Sequence, residues 1–156
     1  MTDRELMRHA IAVIAYRGGK PLRGAPDSFA DFSLGEGGNT PLRLVNHLAG
    51  LMEWARTHLE GEPRFPGNPP STWAAEVERF YAALRALDEY LASDRPIACD
   101  LKRLLAGPIA DSISHIGQLM MLRRLAGCAV YGENYFVAEI VTGRVGSEQA
   151  PPVKPF

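Results

Sequence analysis

Three side chains could meet to do metal chemistry. His47 lies in a strongly apolar stretch between Val45 and Leu48, and a helical projection puts it on one face with Leu44, Leu51 and Trp54. Asp111 and His115 are four residues apart in a second apolar-periodic segment, so both fall on one helix face, one turn apart. Gln118 continues that stripe. Two imidazoles and a carboxylate converging from two helices would form an open site for a divalent first-row metal, a common use of bundle cores. The same residues also admit a plainer account. His47 could be a hydrogen-bonded core histidine, Asp111 could favour the helix dipole, and His115 could simply pair with Asp111. Spacing alone leaves both readings open.

Other polar residues offer less. His9 and His58 lie near helix ends among charged neighbours and read as solvated. Ser112 and Ser114 lack a nucleophile-elbow context. Cys99 and Cys128 match no metal or redox spacing and read as reduced, half-buried thiols. The stretch LGEGGN lacks the Lys-Ser/Thr ending of a phosphate loop. Arg123 and Arg124 read as cations favouring a helix C-terminus.

The elements that must position the three residues are helices. Leu6, Met7, Ala10, Val13 and Ile14 predict an amphipathic helix from about Asp3 to Arg17, capped by Thr2 or Asp3 and ended by Gly18-Gly19. A long connection, Lys20 to Asn39, follows; its aromatics, Phe29 and Phe32, suggest that it packs. Thr40-Pro41 opens a second helix that runs to about Leu59. A Gly/Pro-rich loop spans Gly61 to Pro70. Ser71 then caps a third helix to about Ala92, whose stripe is Trp73, Val77, Phe80, Leu84, Leu87 and Leu91. A short turn at Asp100–Leu105 precedes a last helix that starts at Gly107-Pro108, carries Ile109, Ile113, Ile116 and Met120, and stops at Gly127. The tail from Cys128 is apolar but broken by Gly and Pro. It reads as an extended segment or short helix wrapped on the bundle, completing the core or, alternatively, forming a lid.

The expected fold is all-α: one four-helix-bundle domain over residues 1–156, with a long first connection and an extended C-terminal tail. Lys plus Arg number 17 against 18 Asp plus Glu, a net charge of −1, which gives no electrostatic reason to expect a nucleic-acid partner. No stretch approaches the roughly 20 apolar residues of a membrane span. No leader signature is apparent, and a cytoplasmic setting is expected by default.

Two segments, NTPLRLVNHLAGLMEWA and GPIADSISHIGQLMMLRRLAG, resemble the signature helices of the DinB/YfiT-like superfamily, with H-x-G-Q as the best local mark. The similarity covers most of the chain through helix order and the long first loop. It implies a divalent metal, zinc or nickel, held by three histidines in that family. His47 matches the first ligand position and His115 the last; Asp111 stands at the remaining one. It also implies a homodimer and a metal-dependent enzyme acting on low-molecular-weight thiols, as a thiol-S-transferase or hydrolase-like enzyme. A non-catalytic small-molecule-binding or stress-associated protein on the same scaffold is the alternative, since fold does not dictate function.

Overall fold

A computed structural model describes residues 1–156 and is all-helical, compatible with a four-helix bundle. Helix α1 spans Asp3–Leu22, α2 Pro41–Glu60, α3 Trp73–Ala92, α4 Leu101–Leu104 and α5 Ala110–Leu125. A π-helical turn, Leu105–Ile109, joins α4 and α5 into one bent rod, the fourth member of the bundle. The four rods share one contiguous apolar core that includes Ile11, Leu48, Phe80, Leu84 and Leu119.

Local chemistry sets most helix starts. The Thr2 hydroxyl accepts from the Glu5 amide at 3.2 Å, while the Glu5 carboxylate accepts from the Thr2 amide, a reciprocal capping box. Thr40 caps α2 by accepting from the Arg43 amide, with Pro41 at the first helical position. Thr72, rather than Ser71, caps α3, because its hydroxyl reaches the Ala75 amide at 3.3 Å. The Ser71 amide instead donates to buried Glu76. The stripe expected on α3 largely holds: Phe80, Leu84, Leu87 and Leu91 are buried, and Trp73 and Val77 pack at its N-terminal end. Arg79 cross-links α3 to α2 through two bonds to Glu53, of 2.8 and 2.7 Å, and this partner holds its pKa above the ordinary value.

Gly18 and Gly19 do not end α1, which continues to Leu22. They are contact residues: a Cβ on Gly18 would lie 3.1 Å from Phe80 Cζ and 3.3 Å from Ile116 Cδ1, and one on Gly19 would lie 3.0 Å from the Tyr81 hydroxyl. Close helix approach accounts for this pair without a turn. The long first connection packs as expected through Phe29, which is buried and edge-on to Trp73.

The bent rod departs from the expected separate turn and helix. Gly107 adopts non-helical dihedrals (φ −91°, ψ −105°) inside the π turn. The wide turn shifts the buried stripe by one residue. Tracing Ile116, Ser112 and Ile109 backwards would put Leu105 in the core, but Leu104 is buried and Leu105 is 45% exposed. Arg123 lies in the last turn of α5, as expected of a cation at a helix C-terminus, and has a packing role besides. It is buried, donates to the Cys128 carbonyl at 2.7 Å and lies over the Phe29 ring.

The tail is irregular and folds back against α1. Buried Glu133 accepts from the Tyr16 hydroxyl at 3.0 Å and pairs with Lys20 at 2.8 Å. Burial, then the Glu133 hydrogen bond, push the Tyr16 pKa up to about 12. The tail closes on itself where the Asn134 amide donates to Lys154 and the Phe156 amide donates to Gly132. Val145 joins the core. No helix is long and apolar enough to cross a membrane.

Candidate metal centre

His47 projects from the middle of α2, and Asp111 and His115 from the first two turns of α5. The structure brings all three together. His47 Nε2 lies 3.3 Å from Asp111 Oδ2, and His115 Nε2 lies 3.3 Å from Asp111 Oδ1. The two imidazoles meet edge to face with centroids 4.7 Å apart. One donor atom from each residue can be chosen so that all lie within 4.8 Å, so the group could hold a metal ion. Neighbouring ligand atoms of a single tetrahedral ion stand about 3.5 Å apart, given bond lengths near 2.1 Å. Small side-chain rotations close that difference. The side chains of His47 and Asp111 are 38% and 46% exposed and have room to make them, whereas His115 is 16% exposed.

The surroundings of His115 bear on what belongs there. Its Nδ1 lies 3.1 Å from Gln118 Oε1, and its Nε2 faces the Asp111 carboxylate. Both ring nitrogens therefore point at acceptor oxygens. A neutral imidazole carries only one N–H, so it satisfies only one of them. Either a second ring proton or a cation between Nε2 and Oδ1 meets both acceptors; with a cation, Nδ1–H would donate to Gln118, and the Nε2 lone pair and the carboxylate would both face positive charge. This is the usual arrangement around metal-bound histidine, with the second nitrogen donating to an outer partner. The donor set fits a divalent ion.

Phe65 contributes a residue that sequence reasoning missed. Its ring stands 5.8 Å from His47 and 5.9 Å from Trp54. The Arg64 amide donates to the buried Thr57 hydroxyl at 3.1 Å, pinning the Gly/Pro-rich loop beside α2. Gly50 leaves room for the ring, since a Cβ there would come within 3.2 Å of Phe65 Cζ. The signal available in the sequence was Gly50 itself, three residues after His47 and on the same helix face.

Two clefts are lined by sequence neighbours of the trio, though by none of its three members. One, of about 490 Å³, is lined by Gln118, Ser114 and Leu44, among others. The other, of about 570 Å³, lies between Trp54 and His58 on one side and Arg103, Gly107 and Pro108 on the other. No tail residue lines either cleft, so the tail completes the core on the α1 side rather than covering the site. His58 is half-buried against Trp54, and His9 is half-buried with Nδ1 3.1 Å from the Thr142 hydroxyl, so neither is fully solvated. Cys99 and Cys128 are free and half-buried, and burial raises the Cys99 thiol pKa.

No family model matches the chain, and no curated protein and no solved structure is significantly similar to it.

Proposed function

We propose that this chain is a metal-dependent enzyme of the DinB-like type, in which His47 and His115 supply nitrogens and Asp111 supplies oxygen to one divalent ion. The observation that carries the reading is the convergence of three ligand-type side chains, with one donor atom of each within 4.8 Å of the others. Two histidines and one carboxylate leave coordination positions open, and zinc or nickel suits such a mixed set. When bound, such an ion lowers the pKa of a coordinated thiol or water and so supplies a nucleophile near neutral pH. Low-molecular-weight thiols are the substrate class in this proposal, in a thiol-S-transferase or hydrolase-like reaction, with the protein acting as a homodimer in the cytoplasm.

The chain's own residues have defined parts. Gln118 orients the His115 ring by accepting from Nδ1–H, which leaves Nε2 free as a donor atom. Phe65 covers one side of His47 and limits water there. The exposed edge of Asp111 leaves an approach for a small substrate.

A second reading has an observation of its own. Each Asp111 oxygen already faces an imidazole at 3.3 Å, so the trio can also stand as a hydrogen-bonded cluster in a non-catalytic small-molecule-binding or stress-associated protein. Elemental analysis by ICP-MS on untagged protein separates the two. Near-stoichiometric metal in the wild type, lost in His47→Ala, is expected. No metal in either, even after incubation with zinc, nickel and manganese, would sink the metal reading and leave the second.

A further inference from the structure

The 490 Å³ groove beside the centre carries a more specific conclusion. Its walls come from the first connection (Leu34), the start of α2 (Leu44) and α5 (Gly117, Gln118, Met121, Leu122), and no charged side chain lines it. Its volume falls in the range of small-molecule sites. None of the three candidate ligands lines it; it approaches the centre through Gln118, whose Oε1 lies 3.1 Å from His115 Nδ1, and through Leu44, one turn before His47. Of its three polar side chains, the Ser114 hydroxyl donates to the Ala110 carbonyl and the Gln118 carbonyl faces His115, while Asn39 stands at the connection side of the groove. What remains is a mainly apolar trough with the Gln118 amide towards His115 and Asn39 at the first connection. Leu34 and Met121, on its rim, are 64% and 52% exposed, so the trough is open to an entering molecule.

Gly117 is the informative residue. Glycine inside a helix is costly. At Gly18, Gly19 and Gly50 a Cβ would come within 3.0–3.2 Å of a neighbour, so close packing explains them. At Gly117 a Cβ would meet nothing within 4 Å. Packing does not require this exposed glycine, and the space it leaves open belongs to the groove it lines. We infer that the groove receives an unbranched aliphatic chain of the ligand, whose polar head lies at His47, Asp111 and His115, and that Gly117 sets the room for that chain. Flexible Met121 suits such a wall, because an unbranched thioether adapts to a sliding chain.

This inference rests on the metal reading for its head group, and the test separates the two. Alkyl hydroxamates from acetohydroxamate to octanohydroxamate are titrated calorimetrically into zinc-loaded protein. Affinity is expected to rise two- to fourfold per added methylene, up to the equivalent of about 0.8 kcal/mol for a fully buried one. Gly117→Leu, a better helix former, should keep its zinc and its affinity for acetohydroxamate while flattening the series. Equal affinity at all chain lengths in the wild type overturns the groove assignment. Should no zinc be retained, the metal reading fails, and metal-free protein titrated with 1-octanol and followed by amide NMR shifts decides the groove alone. Shifts centred on Leu44, Gly117 and Met121, abolished in Gly117→Leu, support it; diffuse shifts, or shifts unchanged by the substitution, overturn it.

Discussion

Asp111 stands between two histidines, and its two oxygens are divided between them. A carboxylate can face both rings at once because it presents two acceptor oxygens. Gln118 matters to the same centre without entering it. Gln118→Ala removes the acceptor that orients the His115 ring, and outer-shell losses of this kind cost roughly 10- to 100-fold in metal affinity. Competition with a calibrated chelator measures this; an unchanged zinc affinity would show that His115 is oriented by packing alone. Tyr16 is the residue whose titration should appear in stability. Its folded pKa of about 12 lies above its ordinary value of 10.0, so between these values the folded protein holds a proton that the unfolded chain has lost. Its contribution is complete below pH 10 and disappears as pH rises towards 12. Thermal melts across that window should show a steeper fall for wild type than for Tyr16→Phe, and parallel curves would count against the Tyr16–Glu133 bond.

Glycine in a helix has two meanings in this chain, set by the elements it lies between. On α1, a Cβ at Gly18 would lie 3.1 Å from Cζ of wholly buried Phe80 and 3.3 Å from Cδ1 of buried Ile116. Gly18→Ala therefore should destabilise the protein by about 1 kcal/mol, as overpacking outweighs the gain in helix propensity. On α5, the same substitution at Gly117 meets no neighbour and should stabilise by roughly 0.5–1 kcal/mol. Urea denaturation of the two variants should thus shift in opposite directions; two shifts of the same sign would refute the packing difference between these helices. The π turn is the other feature of this scale. It moves the buried stripe from the Leu105 register to Leu104 and brings Asp111 in just after the bend, where α5 faces α2. Wide turns of this kind recur at functional sites.

At the scale of the whole molecule, the tail and the site are on different sides of the bundle's logic. The tail is held to α1 by Glu133, which is buried and bound to both Tyr16 and Lys20. Glu133→Ala leaves the Lys20 charge nearly buried without its partner, and breaking such a pair costs about 3 kcal/mol or more. The expected result is a lowered urea midpoint with metal content per folded molecule unchanged, because no tail residue lines the clefts beside the centre. Loss of metal in folded Glu133→Ala protein would instead tie the tail to the site.

Helix type, order and rough extent were determined by the sequence, because period, capping residues and breakers act over a few residues and carry their physics locally. The threonine cap and Pro41 of α2 and the stripe on α3 belong to this class. The pairing of Asp111 with His115 is local as well, being one helical turn. What only tertiary structure decided depends on which helices meet. Gly18-Gly19 look like a terminator until Phe80 and Ile116 are seen against them. Arg123 reads correctly as a helix-end cation, but its burial against Phe29 and the Cys128 carbonyl shows only in the fold. Glu133 and Phe65 join α1 and His47 across separations that no local pattern spans. The meeting of His47 with Asp111 across 64 residues is of the same kind: each helix could be read alone, but only the packing of α2 on the bent rod made them neighbours.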